Sequence, residues 1–133
     1  GQWVDIALTD VMMACNENVL CMASMAPEDA PAPCRNGLRR LSVTPYGVFK
    51  AKDDYFVLGV DNDKRFAGLC DAMGRPELTL DAKFDTNYHR LQNRQEIEGI
   101  VEQWCAERTV EECVRILRNE HLIPAGPILT TVQ

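Results

Sequence analysis

Pro45-Tyr46-Gly47-Val48-Phe49-Lys50-Ala51-Lys52-Asp53-Asp54-Tyr55-Phe56-Val57-Leu58-Gly59-Val60 is the stretch that decides the fold. Val48 and Phe49 belong to one strand, and Tyr55, Phe56, Val57, Leu58 and Val60 to a second. Lys52-Asp53-Asp54 between them is polar and reads as a turn, so a β-hairpin over about 46–60 follows. Downstream the apolar period changes from 2 to 3.6. Asp61 or Asn62 caps a helix whose apolar face is Phe66, Leu69, Cys70 and Met73, spaced i, i+3, i+4, i+7. Gly74 ends that helix, because glycine enters the left-handed C-cap conformation without strain, and Pro76 blocks continuation. Asp81 to Leu91 reads as irregular or briefly helical. Asn93 and Glu96 form a capping-box-like pair before a helix striped by Ile97, Ile100, Val101 and Trp104. Thr109 and Glu112 make a Thr-x-x-Glu box before the last helix, striped by Val110, Cys113, Val114 and Leu117. The tail from Ile123 to Leu129 is extended and suits an edge strand.

Upstream of the hairpin the pattern differs. Val4, Ile6 and Leu8 alternate with Asp5 and Ala7, which predicts a short strand. Thr9 and Asp10 offer caps to a following helix through Val11, Met12, Cys15, Val19 and Met22. That helix has few charges and is apolar over much of its circumference, so it calls for burial on several sides. Pro27 to Pro33 carries three prolines and reads as a linker. The expected organisation is therefore a strand–helix piece over 1–26, then a linker and second unit over 27–133. The expected class is α+β, a small antiparallel sheet packed with three helices. The chain opens on Gly1-Gln2 rather than methionine, which suggests a piece of a longer polypeptide.

Composition bounds the function. The 133 residues are 46% apolar, enough for a real core. A net charge of −6 argues against nucleic acid as a partner. No apolar run approaches the roughly 20 residues of a membrane span, and no basic segment leads into an apolar one as in a signal peptide. The six cysteines form no Cys-x-x-Cys pair, and neither His89 nor His121 lies near a cysteine pair. No metal site is expected, and reduced thiols in the cytoplasm are. His89 and His121 have no acid or nucleophile partner visible in the sequence, and both read as surface or structural residues.

The order of the motifs says more. Gly1-Gln2-x-Val4-Asp5-Ile6 followed by Asp10 resembles the Gly-Gln-x-Val-Asp-Val strand and helix of the family III CoA-transferases. Pro45-Tyr46-Gly47-Val48-Phe49 is similar to that family's Pro-Tyr-Gly-x-Phe hairpin. Asn62-Asp63, Phe66, Leu69-Cys70 and Gly74-Arg75-Pro76 resemble its next helix and stop, and Phe84, Thr86-Asn87 and Asn93-Arg94 its connecting segment. Trp104 with Arg108-Thr109, and Ile123-Pro124-x-Gly126-Pro127, resemble the last helix junction and the terminal segment. The family often has Gly-Asn-Arg-His-Pro where this chain reads Gly37-Leu38-Arg39-Arg40-Leu41, and Pro-Val-Asn where Leu129 replaces the Asn. Those departures leave the subfamily open.

The resemblance implies that 1–26 belongs to a large CoA-binding domain and 27–133 to the linker and small domain. It implies an enzyme moving CoA between carboxylic acids, with acyl-CoA and acid substrates, coenzyme A as a substrate and no metal. An aspartate carboxylate attacks the thioester and forms a mixed anhydride, which is covalent catalysis by a carboxylate. That aspartate would precede Gly1, so no catalytic residue is expected here, and Asp5 and Asp10 have ordinary structural readings. The resemblance further implies an interlocked homodimer with its active sites between large and small domains. The loop before the hairpin would face such a site, and with one glycine there it would be stiffer than the glycine-rich lid of formyl-CoA transferase. Gly37, Arg39, Arg40, Tyr46 and Gly47 are then the candidate CoA- or substrate-binding residues, since guanidinium forks suit phosphate oxygens. Arg35 on the same loop is a weaker candidate. The alternatives are an acyl-CoA racemase of the same superfamily, or a binding or assembly module without chemistry.

Overall fold

The computed structural model describes residues 1–25 and 37–130. The expected linker at Pro27 to Pro33, and with it Arg35, lies outside them. The chain divides into two compact units, Gly1–Arg35 and Asn36–Gln133.

In the first unit residues 1–7 form no strand. A strand needs a ladder partner, and nothing in residues 1–25 supplies one. Helix α1 (Leu8–Cys15) starts one residue earlier than Thr9, with Ala7 as its N-cap and no side-chain cap. Asp10 lies inside its first turn, where a carboxylate favours the positive helix end. The single helix expected here is broken at Asn16, whose Nδ2 donates 2.8 Å to the Met12 carbonyl. Helix α2 (Glu17–Met25) follows. No residue of α1 is buried, and Trp3, Ile6, Leu8, Met12 and Met25 are all largely exposed.

The second unit contains the hairpin at the expected place. Strands β1 (Tyr46–Lys50) and β2 (Tyr55–Gly59) pair antiparallel, with Phe49 opposite Phe56. Phe56 and Leu58 are buried, while Tyr55 and Val57 between them are exposed, the alternation a one-sided sheet requires. Helix α3 (Asp63–Ala72) is capped by Asn62, whose side chain accepts from the Arg65 N–H. It ends as expected: Gly74 has φ +69, its N–H bonds the Asp71 carbonyl, and the Arg75 N–H bonds the Cys70 carbonyl. That pair of bonds is a Schellman closure.

A 3-10 turn (Pro76–Thr79) leads to helix α4 (Asn87–Gln92), then α5 (Arg94–Ala106) and α6 (Val110–Val114). The Thr109–Glu112 capping box is present. The Asn93–Glu96 pair is not a capping box. The Asn93 side chain donates back to the His89 carbonyl at 2.9 Å, and Glu96 pairs with Lys83. Helix α4 runs directly into Asn93, so its last turn captures the amide that the sequence pattern assigned forward. A π-turn (Arg115–Glu120) extends α6, and the tail supplies β3 (Ala125–Pro127), antiparallel to β2. The strand order is β1-β2-β3. Phe49, Phe56, Leu58, Phe66, Leu69, Phe84, Ile97, Val101 and Leu117 form one core between sheet and helices.

The hairpin turn also reaches forward in sequence. Asp53 Oδ1 accepts from the Val110 N–H at 2.8 Å, on the first residue of α6. That bond is the main reason its carboxyl sits below the ordinary 3.8. A depressed folded-state pKa gives stability that is present above the unfolded value and is lost as pH falls through the folded one. Asp53→Asn is therefore expected to lower the urea midpoint at pH 7. The gap to wild type should close as the pH falls below about 4. A gap independent of pH, followed by fluorescence from Trp104, would rule this out.

Candidate functional site

Residues 38–40 run back along β1. The Arg40 N–H bonds the Tyr46 carbonyl at 3.0 Å, and the Val48 N–H bonds the Leu38 carbonyl at 2.9 Å. Gly47 makes this approach possible. Its φ is +147, and a Cβ there would lie 2.2 Å from the Leu38 oxygen. Gly37 opens the segment with φ +63, in open space.

The two arginines that follow go different ways. Arg39 lies over the Phe49 ring, 3.8 Å from its centroid. Its Nε reaches Glu98 Oε2 at 3.1 Å and its Nη2 reaches Glu102 Oε1 at 2.6 Å. Both carboxylates stand on α5, so Arg39 is turned toward the helix. Arg40 is turned outward over Tyr46, 5.2 Å from the ring centroid, with its Nε 3.4 Å from Ser42 Oγ. Arg40, Ser42, Val43, Tyr46, Asp61 and Asn87 line a concavity of about 390 Å³. Of the five expected site residues, the structure brings Arg40 and Tyr46 together there. Arg39, Gly37 and Gly47 do not line it, and Gly47 serves it by shaping the backbone. A guanidinium stacked beside a phenol can hold an anion and lay a flat group against the ring. Asp61 adds an opposing charge, but it is paired with Arg65.

Ser42, Val43, Asp61 and Asn87 also line it without being among the expected residues, and Asn87 comes from furthest along the chain. It has a signal, because it stands in the Thr86-Asn87 pair, and Thr86 caps α4 so that the next side chain is placed at the helix start. A larger concavity, about 570 Å³, lies between the hairpin turn, α6 and the tail. Asp53, Asp54 and Glu111 line it, and its Arg115 pairs with Glu120. Its acidic lining disfavours a polyphosphate.

His89 does have an acid partner: Nδ1 is 2.7 Å from Asp85 Oδ1, and that contact holds the Asp85 carboxyl below its usual range. The i, i+4 spacing carried this signal. The pair sits on the surface, as a structural reading requires. Burial pushes the Cys70 thiol up to about 12, which removes it as a nucleophile at neutral pH. Among the described residues no group of three or more His, Cys, Asp or Glu side chains is placed to hold a metal, and no helix is long and apolar enough to cross a membrane.

The family model for CoA-transferase family III matches residues 1–133. Succinyl-CoA:glutarate CoA-transferase of Mus musculus is 34% identical over 128 residues, which is 96% of this chain and 28% of that protein. Acetyl-CoA:oxalate CoA-transferase of Acetobacter aceti is 29% identical over the whole chain, 33% of its own length. The chain thus spans about a third or less of these curated relatives. The crystal structure of a CAIB/BAIF family protein from Brucella suis superposes with a TM-score of 0.73 at 28% identity, covering 99% of this chain and 34% of that one. The α+β architecture agrees with that neighbour.

Proposed function

The chain belongs to CoA-transferase family III, and from that premise we propose that it is part of an enzyme that moves CoA between carboxylic acids. The match of the family over all 133 residues carries this reading. Curated relatives named as transferases for glutarate, oxalate and mesaconate support transfer over racemisation. In this reading the attacking aspartate stands in polypeptide outside this chain. Asp5 and Asp10 are not it, and Asp10 sits in a helix turn. Residues 1–26 belong to the large domain and 27–133 to the linker and small domain. Gly37, Arg39, Arg40, Tyr46 and Gly47 remain the binding segment, divided in role. Arg40 and Tyr46 face acyl-CoA or acid, and Gly37, Arg39 and Gly47 shape the backbone that carries them. The exposed apolar side chains of α1 support coverage by a second copy in a homodimer. The buried free thiols of Cys70, Cys105 and Cys113 suit a cytoplasmic setting.

The test has two parts. The purified 133-residue chain is expected to show no thioester turnover and at most weak heat on titration with CoA, because half the site is missing. Turnover by that chain overturns the missing-aspartate reading. The parent enzyme is expected to need an acid acceptor. Epimerisation of a 2-methylacyl-CoA with no acceptor present overturns transfer.

A further inference from the structure

The loop that carries Arg40 is held by three side chains from the helices beneath it. Asn87 grips it on both sides of Val43: its Nδ2 donates to the Ser42 carbonyl at 3.0 Å, and its Oδ1 accepts from the Thr44 N–H at 3.3 Å. Arg94, at the start of α5, directs one nitrogen at three backbone oxygens of the loop. Its Nη2 lies 2.5 Å from the Arg40 carbonyl, 3.3 Å from that of Leu41 and 3.5 Å from that of Val43. Glu98, one turn further along α5, accepts from Thr44 Oγ1 at 2.8 Å and from Arg39 Nε at 3.1 Å. Its other close cation is Arg94 Nε, at 3.7 Å. Arg94 Nε is buried without a hydrogen-bond partner, so this contact acts through charge alone.

Glu98 is the centre of this arrangement. Its side chain is 12% exposed, and a polar group in that setting needs partners to offset the water it gives up. It has two guanidinium groups and a hydroxyl. Those three groups, two of them hydrogen-bond donors to Glu98 and the third a neighbouring charge, belong to the residue before Arg40, to the residue two before Tyr46, and to the side chain that holds the carbonyls between. A charge at one point thereby fixes both ends of a surface segment that has little packing of its own. Ser42 is exposed, and Leu41 and Val43 are only half-buried.

We propose that Glu98, with Arg94 and Asn87, is a positioning network that makes residues 40–44 a fixed strap, so that Arg40 and Tyr46 meet an anionic ligand without a loop closure. The functional half of this proposal rests on the reading of the Arg40–Tyr46 concavity given above. The structural half does not. Pre-organisation matters because an ordered loop need not lose conformational freedom when the ligand arrives.

Glu98→Gln keeps the length of the side chain and its ability to accept from Thr44, and it removes the charge that Arg39 and Arg94 face. Arg94→Met keeps the apolar stem and removes both the Nη2 donor that meets those carbonyls and the charge that Glu98 faces. In the 133-residue chain, 15N relaxation is expected to give order parameters near about 0.85 for residues 41–44 in wild type and below about 0.6 in either variant. Amides of β2 and the middle of α5 should be unchanged. In the parent enzyme, the same variants are expected to raise KM for acyl-CoA about ten-fold with kcat within about two-fold. Residues 41–44 as rigid in both variants as in wild type would overturn the network. A loosened loop with unchanged KM, while Arg40→Gln raises KM, would overturn the positioning role and leave the concavity as the binding site. Unchanged KM in Arg40→Gln itself would overturn the concavity reading, with the relaxation result still deciding the network.

Discussion

Gly47→Ala is expected to destabilise the second unit by at least about 4 kcal/mol. Two effects add. A side chain at φ +147 is costly in itself, about 1–3 kcal/mol. The new Cβ would also lie 2.2 Å from the Leu38 oxygen, with the Arg39 Cα at 3.0 Å. Both neighbours are backbone, so relief requires the 38–40 segment to leave β1 and give up the bonds from Arg40 N–H and Val48 N–H. Arg39 would then lose its place over Phe49 and between Glu98 and Glu102. For a domain near 100 residues, 4 kcal/mol is a fall in Tm of about 15 °C or more, and a sizeable part of the total stability. Gly37→Ala is the internal control. Its φ is also positive, but nothing lies within 4 Å of the added carbon, so a loss of only about 1 kcal/mol is expected. Calorimetry on the two variants decides it. Equal losses would mean that the close approach at Leu38 is not what Gly47 is for.

Phe56→Ala should cost a similar amount by a different route, about 3–5 kcal/mol. Phe56 is fully buried on the middle strand. Its ring lies 6.5 Å from that of Phe49, tilted by 40°. Truncation removes apolar burial, the aromatic pair and the contacts of neighbours that cannot all collapse inward. The exposed Val57 beside it gives the contrast. Val57→Ala at 42% exposure removes little burial and is expected to change stability by less than about 1 kcal/mol. Urea unfolding at neutral pH measures both. A Phe56→Ala midpoint within error of wild type would show that the sheet does not face the core as the register requires.

The parts of the fold that were legible are those set by short-range chemistry. The alternation in Tyr55-Phe56-Val57-Leu58, the Asn62 cap, the Gly74 stop and the Thr109 box each involve residues within a few positions of one another. The failures are those in which a distant or competing partner decides. The Val4–Leu8 alternation forms no strand because its ladder partner is not in residues 1–25. Asn93 turns backward because α4 ends on it. The candidate site shows the same division. A basic segment ahead of a Pro-Tyr-Gly hairpin was visible, and so was the aromatic beside it. Which arginine faces outward was not, because Glu98 and Glu102 lie some sixty residues away on α5 and select Arg39 through geometry alone.

The sheet order carries a consequence for synthesis. β2 is the middle strand, yet one of its two neighbours is made long after the hairpin: Leu58 pairs with Ala125, and the Gly59 N–H waits for the Pro124 carbonyl. On the ribosome, the hairpin emerges with one flank of main-chain donors and acceptors uncovered until residues 124–127 arrive. An open strand flank beside buried-type aromatics is a template for pairing with other nascent chains. The small β3 therefore acts as a late seal on the hairpin, out of proportion to its three residues.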